Sequence, residues 1–250
     1  MKLIAVLVAF AVLVLAAAAA FAPATLLDMR LDAATQGQLR LANAEGSAWN
    51  GRGRVTNAQR TWSVPIAWKV APLEIARGGM AFALQDPGQG GDSRGKFAWR
   101  DGTLTAEGVA FTVPASAIIG APAAGNAVAF AGTIAFDAAH FSWSGNGGDG
   151  AATVRWSDAR IASNAGTISL GTVTANCAPR DGRIQGRVEN RGGDVRVDGD
   201  FTWSSAGVEV SAALSALPST PPAVVRVLGA LGTPDASGGA VHVQWRGGTR

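Results

Sequence analysis

The chain has 250 residues, 21 basic against 18 acidic side chains, and a single cysteine, Cys177. A charge balance this even, with Lys only at Lys2, Lys69 and Lys96 and no block of like charge, suggests neither nucleic acid nor an anionic membrane surface as a partner of the whole domain. One cysteine excludes an intramolecular disulfide, so the core must hold the fold without covalent help.

The first element is an uncharged apolar run, Leu3 to Ala22, set between Met1-Lys2 and Pro23. Such a run, as helix, covers about 30 Å, the thickness of a bilayer's hydrocarbon core. Its large side chains are Leu3, Ile4, Val6, Leu7, Val8, Phe10, Val12, Leu13, Val14, Leu15 and Phe21. Two readings are open. A retained anchor keeps Lys2 in the cytoplasm by the positive-inside rule, whereas a signal peptide would be cut at Ala18-x-Ala20. The run is longer than a signal core of about 7–15 residues, so residues 1–22 are predicted as a transmembrane signal-anchor. Both readings export residues 23–250, predicted as one β domain or as two duplicated halves, about 38–120 and 121–250.

Gly46-Ser47-Ala48-Trp49-Asn50-Gly51 reads as a turn between strands, and Ile66-Ala67-Trp68-Lys69-Val70-Ala71-Pro72-Leu73 as the next strand. Further on, GTISLGTVTANC, GRIQGRVEN, GDVRVDGDFTW and GAVHVQW alternate with period two between Gly, Asp and Asn punctuation. That is the pattern of antiparallel strands joined by tight turns. In the last of them Val241, Val243 and Trp245 share one face, with His242, Gln244 and Arg246 on the other. Between Pro221-Pro222 and Gly232 a helix is predicted, capped by Ser219 or Thr220, with Val224, Val225, Leu228 and Leu231 as its apolar stripe. It is expected to plug an end or edge of the sheet.

Six of the eight tryptophans follow an apolar residue two positions earlier: Ile66-x-Trp68, Phe97-x-Trp99, Phe141-x-Trp143, Val154-x-Trp156, Phe201-x-Trp203 and Val243-x-Trp245. Each pair puts two large side chains on one face of a strand. Core packing in a curling sheet explains this, and so does an apolar trough. The stretches from Trp99 to Pro114 and from Trp203 to Pro218 are each 15 residues long and are followed by a helix pattern, which suggests a duplicated unit.

Motifs that carry chemistry are few. Gly145-x-Gly147-x-x-Gly150 formally matches a dinucleotide fingerprint, but it lies between two strands with no helix to meet a pyrophosphate, and reads as a hairpin. His140 and His242 fall on polar strand faces without a metal-ligand partner at the spacing metals need. Cys177, in TVTANCAP, reads as a small strand residue. No G-x-S-x-G or H-E-x-x-H is present. No catalytic, cofactor or metal residue is predicted, and the protein is expected not to be an enzyme.

One constellation points to a relative. Pro23-Ala24-x-Leu26-Leu27 after the apolar run, the Gly46–Gly51 turn with Trp49, the Trp68-to-Leu73 strand end and a last strand ending Trp245-Arg246-Gly247 resemble the N protein of the bacterial type II secretion system (GspN). The resemblance implies a single-pass inner-membrane protein with a periplasmic β domain, in a machine that exports folded proteins through the outer membrane. It implies an accessory role in assembly or bridging, with the inner-membrane platform or the outer-membrane secretin as partners. It brings no catalytic residues; Trp49 and its turn come as packing residues. The alternative function is an envelope protein that carries lipid or lipopolysaccharide in an apolar trough. For the fold the expectation is all-β: about 12–16 antiparallel strands in a strongly curved sheet, a half-open roll or a sandwich, with a short helix near the C-terminus.

Overall fold

The computed structural model describes residues 22–247 except 36, 59, 88–92, 119–128, 164–165, 205–206, 219, 223, 226–227, 229–232 and 235–239. Strands dominate, fifteen among the described residues, and every described pairing is antiparallel. The chain divides into two compact units, residues 1–94 and 95–250.

In the first unit, α1 (Thr25–Ala34) is followed by β1 (Leu39–Gly46), β2 (Asn50–Asn57), β3 (Ser63–Val70), α2 (Pro72–Ala76) and β4 (Met80–Gln85), the four strands pairing in that order. Its core is Ala24, Leu41 and Trp68, with Leu27, Leu31, Val55 and Ile66 packed around them. Ala24, Leu27 and Leu31 sit at helical spacing, so α1 presents one apolar stripe to the sheet. The expected strand from Ile66 to Leu73 stops at Val70 instead. Pro72 has no N–H to give a ladder, but its fixed φ suits the first turn of a helix, and it opens α2.

The second unit is a long meander. Its strands are β5 (Ser93–Arg100, within the unit from Gly95), β6 (Thr103–Pro114), β7 (Ala129–Ser144), β8 (Gly147–Gly150), β9 (Ala152–Ser163), β10 (Gly166–Arg180), β11 (Arg183–Arg191), β12 (Val195–Ser204), β13 (Gly207–Ala216), β14 (Thr233–Pro234) and β15 (Ala240–Gly247). A short helix, α3 (Ala115–Ile118), follows β6. Each strand pairs with the next in sequence, except that β8 folds back on β7 alone and β15 lies between β13 and β14. Asp101-Gly102 and Asp181-Gly182 close two of the hairpins with both φ angles positive, as two-residue primed turns need.

This sheet bends back on itself. The rings of Trp143 on β7 and Trp203 on β12 stack with centroids 5.7 Å apart. Strands four places apart in a flat sheet would be separated by about 19 Å. Bulges provide the bend: register shifts in the β7–β9 ladder at Gly132, where φ is +108° and a Cβ would sit 2.7 Å from the Asp158 carbonyl oxygen.

Two clusters fill the fold between the walls. One joins Ala106, Val109, Ala138 and Phe141 to Ile184. The other joins Ala159, Ile168, Leu170, Val195, Val197 and Val241 to Val224 and Leu228. Pro222, Val224, Val225 and Leu228 are helical, so the expected C-terminal helix is present at its described residues and two of its stripe side chains enter a core. Thr220 does not cap it. The Thr220 hydroxyl accepts the Leu217 N–H at 2.7 Å and donates to the Asp194 carbonyl. Pro221 and Pro222 have no N–H to offer a cap, which leaves that hydroxyl free for the turn before the helix.

Candidate functional site

Among the described residues the structure brings forward three surfaces, and no catalytic centre. The first is the end of the first unit where the chain enters from residues 1–21. Ala48 N donates to Ala22 O at 2.8 Å, Pro23 bridges Ser47, and Ala24 N donates to Gly46 O at 3.3 Å. The Gly46–Gly51 turn is held from below by Trp68, whose indole donates to Ser47 O at 3.2 Å. Gly51 permits this approach, since a Cβ there would lie 2.6 Å from the Trp68 ring. Along the outer edge of β1, Asp28 of α1 takes the Leu41 N–H at 2.7 Å and Arg40 in a two-point contact at 3.0 and 2.6 Å. Arg40 and the Leu41 N–H hold the Asp28 carboxyl below the usual carboxylate range. Thr35 Oγ1 accepts the Leu39 N–H at 3.0 Å. The Leu39 and Leu41 donors at the start of this edge are thereby closed to another strand.

The second surface is the apolar face of the second unit. Phe111, Phe136, Val154, Ala175, Val188, Gly199, Ala212 and Val243 are in direct register from β6 to β15, one continuous row across eight strands. Only Gly199 of that row is fully buried; the other seven are half-buried, with Phe111, Phe136, Val188 and Val243 packed against the core clusters. Trp99 and Trp203 on the same face are 45% and 39% exposed. Four of the sequence's apolar-x-Trp pairs therefore have different fates: Trp68 is core, Trp143 and Trp156 are half-buried with their indoles bonded to Gly182 O and Ala131 O, and Trp203 stacks at the rim. The opposite face is wet, with Arg187 on Asp198 at 2.9 Å and Arg246 on Glu209 at 2.9 Å. A shallow groove there, over β12, β13 and β15, is lined by Asp200, Thr202, Glu209, Ser211, Gln244 and Arg246 and is an ordinary solvated strand surface.

The third surface is the edge of β15. β14 pairs only with Val241 and His242, so among the described residues no strand pairs the outer edge from Val243 to Gly247.

The chemistry-bearing residues do not form a site. His140 does acquire a carboxylate, which its surrounding sequence hid: β8 folds back and brings Asp149 Oδ1 to 3.2 Å from Nε2. Ser142 Oγ donates to that same oxygen at 2.7 Å, and this bond first, then His140, lowers the Asp149 pKa. The serine is thus bonded to the acid rather than to the imidazole, so nothing activates it as a nucleophile. Gly147–Gly150 is β8, half of a hairpin. Cys177 lies half-buried on β10 with Sγ 3.4 Å from Ala152 O, and burial pushes its thiol up, the reverse of an activated cysteine. Among the described residues no three His, Cys, Asp or Glu side chains converge as a metal site.

A family model described as type II secretion system (T2SS), protein N, matches residues 37–242. The chain belongs to that family. No curated protein and no solved structure is significantly similar to it. As a protein N family member the chain takes part in type II secretion, and the match spans strands of both units, from the residues before β1 into β15. The predicted anchor residues, Leu3 to Phe21, lie outside the described residues; among the described ones no helix is long and apolar enough to cross a membrane.

Proposed function

We propose that this protein N family member is an accessory subunit of the type II secretion machinery, held in the inner membrane by residues 1–22 with its β units in the periplasm, and acting by protein–protein contact in assembly or bridging. The family match over residues 37–242 carries the proposal. The outer edge of β15, unpaired from Val243 among the described residues, supports it, because main-chain donors and acceptors there can take a partner strand by β-augmentation. The inner-membrane platform and the outer-membrane secretin are the partners to test. Deleting the gene should trap normally exported enzymes in the periplasm or impair assembly of the machine. Unchanged export of several substrates, with no secretion component crosslinked through Gln244 on β15, would sink the proposal.

One observation favours a second role: the register-aligned apolar row of the second unit is half-buried rather than fully enclosed along nearly its whole length. Were the sheet to open along that row, its apolar walls would suit an acyl chain, which needs no polar partner. Native mass spectrometry of gently solubilised protein should then show a copurifying lipid. Its absence, under conditions that keep a known lipid carrier loaded, would leave the row as core packing.

A further inference from the structure

Among the described residues of the first unit the large exposed apolar side chains are Leu26, Met29, Leu73, Ile75 and Met80, 43%, 66%, 70%, 46% and 52% exposed. Met29 lies further along α1; the other four follow a hydrogen-bonded relay from the point where residues 1–21 join. Ala22 O accepts from Ala48 N at 2.8 Å; the neighbouring Trp49 O accepts from Val70 N at 2.7 Å; Ala71 N then donates to Ala81 O at 2.9 Å. Leu73 and Ile75 follow Ala71 on α2, Met80 precedes Ala81, and Leu26 is in the first turn of α1. The opposite end of the same strands is polar. There Gln38 O accepts from Ala58 N at 3.2 Å, and Asn57 and Thr61 bond one another across the β2–β3 turn.

We propose that this end of the first unit is a membrane-contacting face, with Leu26, Leu73, Ile75 and Met80 entering the boundary between headgroups and acyl chains. The proposal rests on residues 1–22 being a membrane anchor. If that run ends in the bilayer at Ala22, the few residues to Thr25 reach at most about 10 Å, no more than the depth of the interfacial layer. The end that holds Ala22 by a backbone bond therefore faces lipid. Lys69 beside Val70 is exposed and placed to meet anionic headgroups, while Arg77 after α2, also exposed, is paired with the Glu74 carboxylate at 3.3 Å. Four solvent-facing apolar side chains, unfavourable in water, become stabilising in that position, and they fix the tilt of the unit on the bilayer rather than leaving it to swing on its tether.

Site-directed spin labelling of the full chain tests this. In a Cys177→Ala background, single substitutions Leu73→Cys, Met80→Cys, Gln38→Cys and Phe10→Cys are labelled and reconstituted in phosphatidylethanolamine–phosphatidylglycerol vesicles. The ratio of relaxation by oxygen to relaxation by an aqueous nickel chelate is expected to be several-fold higher at 73 and 80 than at 38, and highest at 10. A ratio at 73 and 80 equal to that at 38, with 10 still in lipid, overturns the membrane face and leaves the anchor standing. An aqueous ratio at 10 overturns the anchor itself. Labels at 73 and 80 shielded from both reagents would mean that protein covers this end, which also overturns the proposal.

Discussion

At the scale of single residues, two side chains bear more of the fold than their positions on strands and helices suggest. Asn190 donates to Leu170 O at 2.8 Å and Val195 O at 2.7 Å and accepts from Val197 N at 2.7 Å, tying β10, β11 and β12 together where the chain turns. Asn190→Ala leaves these partly buried groups unpaired and should lower stability by about 1–3 kcal/mol in chemical denaturation; an unchanged midpoint would mean water replaces the side chain at no cost. Asp28 acts through charge. Its folded pKa is depressed by Arg40 and the Leu41 N–H, so its stabilisation is present above the ordinary carboxylate range and is lost as pH falls through the folded value. The protection of the Leu41 amide, its exchange relative to the intrinsic rate at the same pH, should therefore fall below about pH 4, and Asp28→Asn should remove that pH dependence. Protection unchanged at acid pH would show α1 docked by its apolar stripe alone.

Among the elements, the Gly46–Gly51 turn and the C-terminal helix both pack closely on a core. Gly51→Val would drive a side chain into the Trp68 ring and should cost about 1–3 kcal/mol, read as a fall in Tm. Leu228 is 3% exposed in the cluster with Val195 and Val241, and Leu228→Ala should cost about 2–5 kcal/mol. A Tm unchanged by Leu228→Ala would detach the helix from the core. Elements of this kind were legible in the sequence to the extent that they have a period. Alternation between turn residues found β10, β11, β12 and β15, and the proline pair found the helix bearing Leu228. The helix pattern after Pro114 fell on α3, whereas α1 and α2 went unread because they are short or weakly patterned; for α1 the signal was the spacing of Ala24, Leu27 and Leu31. The strand through Pro72 ran too far because apolar alternation continues into Leu73, and only the missing proline N–H ends it. The contact of His140 with Asp149 depends on β8 folding back, which glycines allow but no spacing rule predicts.

For the whole molecule, membership of the protein N family rested on short structural motifs, and the family match over residues 37–242 agrees with them. What those motifs could not reveal is where a partner meets the chain, since partner contact uses backbone edges and exposed faces that only folding creates. Asp28 and Thr35 occupy the Leu39 and Leu41 donors of the β1 edge, while the β15 edge lies unpaired from Val243 among the described residues. A partner strand is therefore expected at β15. The most direct measurement is photocrosslinking from Gln244 of the full-length protein in native membranes, with capture and mass spectrometry. Adducts with the inner-membrane platform or the secretin, absent when the crosslinker is moved to Arg40 on the β1 edge, are the predicted result. Adducts with no secretion component from either position, in cells whose secretion is active, would contradict a bridging role for this protein.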